Sequence, residues 1–164
     1  MRCAVARRIP VWLIALIVLI AASVVVLFHI LRDSPETQIR ESIAAIENCL
    51  SERAKPGVPF SNLDHADHLK EQLMEELEIE SPGYIQLNGK VERALVARRY
   101  FMWRRNHPDT IAEFSQIDIT LKDDDHADVR LIATVTNRNI REQFRIRLSY
   151  VQDGSWKVGK IVID

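Results

Sequence analysis

From Val11 to Leu31 the chain reads VWLIALIVLIAASVVVLFHIL, 21 positions interrupted only by Ser23 and His29. As a helix rising ~1.5 Å per residue this stretch is ~32 Å long, close to the ~30 Å hydrocarbon core of a bilayer. The run therefore predicts a transmembrane helix over 11–31, with the 133 residues beyond it tethered to a membrane surface. Arg2, Arg7 and Arg8 precede it, and no acidic residue occurs before Asp33. On the positive-inside rule residues 1–10 form a cytoplasmic tail and the carboxy-terminal bulk is extracytoplasmic, in a single-pass protein of the cell (inner) membrane. Trp12 suits an interfacial anchor. A cleaved secretory signal is the rival reading, but signal cores usually span 7–15 residues and end in an A-x-A-like site. Ile20-Ala21-Ala22-Ser23 matches that poorly, and the apolar run continues beyond it.

Residues 34–164 suffice for one domain. Cys3 falls in the tail and Cys49 stands alone beyond the span, so the outer domain has no internal disulfide. Ser34-Pro35-Glu36 reads as a helix start, with Ser34 as N-cap, Pro35 at the first helical position and Glu36 favouring the dipole. Ile39, Ile43, Ile46 and Leu50 follow at spacings of four, three and four, a single apolar stripe ended by Lys55-Pro56-Gly57. Ser61 and Asp64 open a second helix, whose face of Leu63, Ala66, Leu69, Leu73 and Leu77 is set against Glu71, Glu75, Glu76, Glu78 and Glu80. Tyr84–Leu87 suggests a short strand and Lys90–Arg105 a third helix, apolar through Val91, Ala94, Leu95, Ala97, Phe101 and Met102.

The period then changes to two. Ile117, Ile119 and Leu121 alternate with polar residues, as do Val129, Leu131, Ala133 and Val135, then Phe144, Ile146, Leu148 and Tyr150. Asp153-Gly154 predicts a tight hairpin. Trp156 and Val158 share one parity but Ile161 and Ile163 the other, a slip at Gly159-Lys160 of the kind a β-bulge produces. Helices followed by an antiparallel meander give an α+β domain.

This order of elements, with the ADVRLIATVT and FRIRLSY strands and the ending DGSWKVGKIVI, resembles the NTF2-like (cystatin-like) superfamily, and within it membrane-anchored bacterial proteins. The resemblance covers most of Thr37–Asp164 and implies a cone of three helices packed on a curved antiparallel sheet. It also implies that any enzyme of this kind would move protons with ionisable side chains inside the cone. Here the inward register is apolar except for Glu142 and Tyr150, near opposite ends of one strand. These two are the pocket candidates, and no catalytic pair emerges. A tail, one span and such an outer domain is also the layout of certain bacterial secretion subunits, an analogy of architecture alone.

The remaining motifs carry less. His65 and His68, with Asp64, have ligand chemistry at helical spacing but lack further ligands, so no metal is expected. Asp123–Asp128 lacks the glycine and spacing of a calcium loop. Nothing calls for a cofactor. Charge is more informative: Asp33–Glu80 holds four basic and twelve acidic residues, Ser81–Asp164 fourteen and eleven. The outward register of two long strands carries Arg130, Arg141, Arg145 and Arg147. Four arginines on one sheet face suit an acidic protein partner, lipid headgroups, or the acidic helix of a second copy. The plainer alternative is a solvated face balanced by Asp118 and Asp128. Nucleic acid is not expected, because the outer domain is net acidic and lies across the membrane. The sequence thus points to a non-enzymatic binding or assembly module. The competing reading is an apolar-ligand or proton-transfer protein using the cone.

Overall fold

The computed structural model describes residues 34–51, 61–81, 88–138 and 140–164, with the side chains of 61–63 excepted. The expected tail, transmembrane helix and Tyr84–Leu87 strand lie outside the described residues. Among the described residues no helix is long and apolar enough to cross a membrane.

Helix α1, Pro35–Ser51, begins as its first residues dictate: the Ser34 hydroxyl accepts a hydrogen bond from the Thr37 amide at 3.3 Å. Its Ile39, Ile43, Ile46 and Cys49 are buried. Helix α2, Ser61–Glu71, is shorter than its pattern suggested, because the chain turns at Gln72 into strand β1, Leu73–Glu80. Strand β2, Gly89–Glu92, precedes helix α3, Arg93–Asn106. Strands β3, Ile111–Leu121, β4, His126–Asn137, β5, Ile140–Asp153, and β6, Ser155–Ile163, complete the domain. The six strands are ordered β2-β1-β6-β5-β4-β3.

The sheet is mixed, not antiparallel, since β1 pairs in parallel with β6. The reason lies in the misread segment. Leu73 and Leu77 are four apart, which imitates a helix, but Leu77 and Ile79 alternate as a strand, and a register shift between Leu73 and Glu78 leaves Glu75 and Glu76 exposed. Burial against β6 decides in favour of the strand. Likewise Lys90–Glu92 open β2 rather than a helix, and Val91 pairs with Leu77. On α3 the buried stripe runs through Ala97, Tyr100 and Arg104, whereas Leu95 and Met102, expected inside, are 42% and 49% exposed. Arg104 is fully buried, and its Nη1 donates to the Thr110 carbonyl.

The meander follows its alternation closely. Val129, Leu131, Ala133, Leu148, Tyr150, Trp156 and Val158 form the inner face with Leu73 and Leu77, under α1 and α2. Phe144, Ile146 and Val135 are only half-buried and Leu121 is exposed, because the sheet outruns its helical cover at both ends. The parity slip is a bulge: Ser149 pairs with Lys160 and Tyr150 with Val158, leaving Gly159 unpaired. Gly154, at φ +69°, makes the β5–β6 hairpin. Helix α1 closes the open edge of β3, with Glu47 Oε1 accepting the Phe114 amide at 2.7 Å and the Ser51 hydroxyl donating to the Ala112 carbonyl.

Candidate functional site: the outer face of the sheet

Two surfaces compete for a function, the inside of the cone and the outer face of the sheet. Inside, Tyr150 is fully buried and its hydroxyl meets the Ser42 hydroxyl at 3.4 Å. Burial pushes the phenol up to about 12, against a small opposing effect of the Ser42 contact. It belongs to the same core cluster as Ile39, Ile43, Val129 and Val158, all at most 1% exposed. Glu142, the other pocket candidate, is exposed eight residues away on β5, roughly 26 Å along the strand. The structure therefore does not bring Glu142 and Tyr150 together, and no carboxylate or imidazole joins Tyr150 among the described buried residues.

The outer face is built differently. On β5, Arg141, Gln143, Arg145, Arg147 and Ser149 point away from the helices, paired across to Thr136, Thr134, Ile132, Arg130 and Asp128 of β4. Arg130, Arg141, Arg145 and Arg147 are thus all exposed on one face. Arg130 and Arg147 stand directly opposite, an arrangement of like charges that is unfavourable unless a counter-charge is near. Asp164 supplies one, at 3.1 Å from Arg147 Nη2. Arg130, Arg141 and Arg145 make no ion pair among the described residues.

The acidic residues on this face were misplaced by the sequence reading. Glu76, Glu78 and Glu80 are on β1, not on a helix, and local cations satisfy them: Lys160 Nζ lies 3.4 Å from Glu78 and 2.7 Å from Glu80, and Lys90 3.2 Å from Glu76. Glu80, then Glu78, hold the Lys160 ammonium above its usual range, against a smaller effect of burial. Asp128 is engaged by Lys122 at 2.7 Å and Ser149 at 3.1 Å, and it also feels the positive charge of Arg130 on the same strand. Burial works to raise its pKa, but the Lys122 and Ser149 hydrogen bonds prevail and hold the carboxylate below its ordinary value. Asp118 of β3, expected on this face, lies there opposite Arg130, and Glu113 of the same strand joins it; both are exposed and neither is ion-paired among the described residues. Gln116, at φ +52° beside a register shift between Ser115 and Asp118, reverses the parity of the strand, so odd Glu113 and even Asp118 share a side.

Asp64, His65 and His68 lie on helix α2, and the aspartate cluster forms the exposed turn between β3 and β4. His68 lies 3.6 Å from Glu71. Asp123 Oδ1 accepts from the Asp125 amide and contacts His126 Nδ1, each at 2.9 Å, which holds the Asp123 carboxylate low. No group of three or more His, Cys, Asp or Glu suited to a metal occurs among the described residues. A cleft of ≈ 290 Å³ beside this turn is lined by Lys122, Asp123, His126, Asp128 and Ser149, and Tyr150 is also among its lining residues.

No family model matches the chain, and no curated protein matches it. Among solved structures it is similar to a cystatin-like domain of unknown function from Nostoc punctiforme, at 12% identity over 80% of this chain and 76% of that one, with a TM-score of 0.62. An NTF2-like protein of unknown function from Pseudomonas aeruginosa is 12% identical over 78% of this chain and 94% of that one, with a TM-score of 0.57. A putative scytalone dehydratase from Novosphingobium aromaticivorans is 17% identical over 77% and 80%, at 0.55. The chain has the NTF2-like, cystatin-like fold: a cone of three helices on a curved mixed sheet. That fold serves proteins described as enzymes as well as proteins of unknown function, so its use here depends on the site.

Proposed function

We propose that this chain is a membrane-anchored, extracytoplasmic binding and assembly module without catalytic activity, and that the outer face of its sheet is the working surface. One contrast carries the reading. Tyr150 is fully buried within the apolar core cluster with no carboxylate or imidazole beside it among the described buried residues, while Arg130, Arg141 and Arg145 stand exposed on the opposite side of the same sheet with no ion pair among the described residues. An unpaired guanidinium costs little in water and gains most when a carboxylate meets it in a partly desolvated contact.

The placement of the arginines favours a protein over lipid headgroups. Along α1 the contacts climb the sheet, from Ser42 at Tyr150 through Glu47 at Phe114 to Ser51 at Ala112. The start of α1 therefore lies toward the Asp123–His126 turn, and the span read at 11–31 would bring the bilayer to that acidic end. Arg145 and Arg141 run toward the far end, away from anionic headgroups.

The test is an Arg145→Glu/Arg147→Glu variant of the full chain, followed by capture of bound protein from membranes. It should melt like wild type, since surface changes usually shift stability by less than ~0.5 kcal/mol, and lose its bound protein. Full retention of bound protein with unchanged melting would remove the docking face and return attention to the cone.

A further inference from the structure

We propose that the solvent side of helix α3 is a second docking surface, separate from the sheet, which receives an acidic amphipathic helix of another protein. Among the described residues five large apolar side chains are exposed, and three of them, Leu95, Met102 and Trp103, belong to this one helix. Leu95 lies nine residues from the fully buried Arg104, about two and a half turns, and so points directly away from the core. Met102, seven residues beyond Leu95, falls within about 20° of it round the helix, and the two form a short apolar ridge along the middle of the solvent side. Arg98 and Arg105 flank the ridge on one side, Arg99 and Trp103 on the other, all of them exposed. Ala97 and Tyr100 are buried on the opposite side, so α3 is apolar on two faces, the pattern of a helix covered on both.

Charge and position select the occupant. α3 carries five arginines and no acidic residue over its 14 positions. Arg93 meets Glu75 at 3.6 Å, and Arg104 is held inside by the Thr110 carbonyl. Arg98 and Arg105 make no ion pair among the described residues. Trp103 is propped between two rings, with centroids 6.4 Å from Tyr100 and 5.7 Å from His107, so it gives up little conformational freedom on contact. Tryptophan, methionine and arginine are the side chains enriched in protein interfaces and their hot spots. A bilayer is the other surface that basic amphipathic helices cover. The helix leaves β2 opposite Glu76, toward the Tyr150 end of the sheet, and delivers the chain to Ile111 opposite Thr136, at the far end. With the anchor read at 11–31, α3 therefore stands up from the bilayer and does not lie along it. A partner helix laid beside α3 meets each feature. Its apolar residues, spaced by three and four, pack on Leu95, Met102 and the arginine stems, and carboxylates on its flanks reach the guanidinium groups. At ~1.5 Å per residue α3 is ~21 Å long, which matches about four turns of partner.

The occupant can be read directly by placing a photoreactive side chain at Met102 of the full chain, in its own membranes, and sequencing the crosslinked segment by mass spectrometry. The expected adduct is a segment of a different protein, with acidic residues on both flanks of an apolar stripe of helical period. Arg98→Glu/Arg105→Glu should lower its yield at least tenfold, and Arg145→Glu/Arg147→Glu should leave it unchanged, because the outer face of the sheet is a different surface. An adduct with lipid, with a second copy of this chain, or with a segment lacking acidic flanks overturns the proposal, as does no adduct. So does full yield from Arg98→Glu/Arg105→Glu melting like wild type, or loss of yield from Arg145→Glu/Arg147→Glu. Leu95→Ser/Met102→Ser serves if the α3 charge variant fails to fold. Its readout is a fluorescent helical peptide of about sixteen residues, with leucines on one stripe and glutamates elsewhere. That peptide should bind the full chain in zwitterionic nanodiscs at least tenfold more tightly than its scrambled order, and the serine variant should lose the difference. Equal binding of the two peptides to wild type, or full binding by the serine variant, also overturns the proposal.

Discussion

Tyr150→Phe separates the packing of the cone from its polar chemistry, and its sign depends on pH. At neutral pH the phenol is protonated and contributes one contact, to Ser42, whose 3.4 Å length is at the weak end for a hydroxyl pair. Removing the oxygen leaves the ring in place, so the loss should be at most ~1 kcal/mol. At high pH the order reverses. The phenol titrates at 10.0 when unperturbed and at about 12 in the fold, because burial opposes the phenolate. Stability from this group is complete below pH 10 and declines as pH climbs toward 12. At pH 11 the linkage amounts to roughly 1 kcal/mol, on the order of one decade in the folding equilibrium. The phenylalanine variant lacks this loss. Its stability relative to wild type should therefore change sign between pH 7 and pH 11.5, read from urea melts at a series of pH values. Taking the difference cancels the lysines and other tyrosines that titrate over the same range. Parallel curves, with no convergence above pH 10, would show that the hydroxyl reaches solvent and that the cone is open at Tyr150.

Two further outcomes test the core and the anchor. Trp156 is 3% exposed on the inner face of β6, so Trp156→Ala should destabilise the domain by roughly 3–5 kcal/mol in urea melts, and a change below about 1 kcal/mol would contradict its enclosure. The full chain should resist extraction from membranes by high salt or carbonate, and release of a soluble form beginning after Ala22 or Ser23 would replace the anchor with a cleaved signal.

Legibility from sequence divided along a physical line. Where burial is one-sided and the element is long, pattern and structure agree: the Ile39–Ile43–Ile46 stripe, the alternation through β4 and β5, and the parity slip at Gly159 are direct images of one face meeting a core. Where an element is short and decided by a distant partner, they part. Leu73 and Leu77 satisfy both periods, and only pairing with β6 and β2 selects the strand. Val91 left its expected helix for the same reason. The buried Arg104 was unreadable too, because its acceptor is the Thr110 carbonyl, a backbone group that no side-chain pattern announces.

The arginine face shows both sides of that line at once. That Arg145 and Arg147 point outward follows from the period of β5 alone. Which charges remain unmatched does not, since it depends on strand order and on bulges. Parallel addition of β1 beside β6 places Lys160 between Glu78 and Glu80 and removes the strongest acidic run in the sequence from consideration. The bulge at Gln116 does the reverse, turning Glu113 to the side of Asp118 and so assembling an acidic strip that neither half of β3 presents alone. Net charge by segment pointed to the acids of β1, which Lys160 and Lys90 engage, and not to Glu113 of β3. The two backbone irregularities, one in β1 and one in β3, account for the difference. They are also why exposed acids on β3 and exposed arginines on β5 lie on opposite sides of β4 on one face of the sheet.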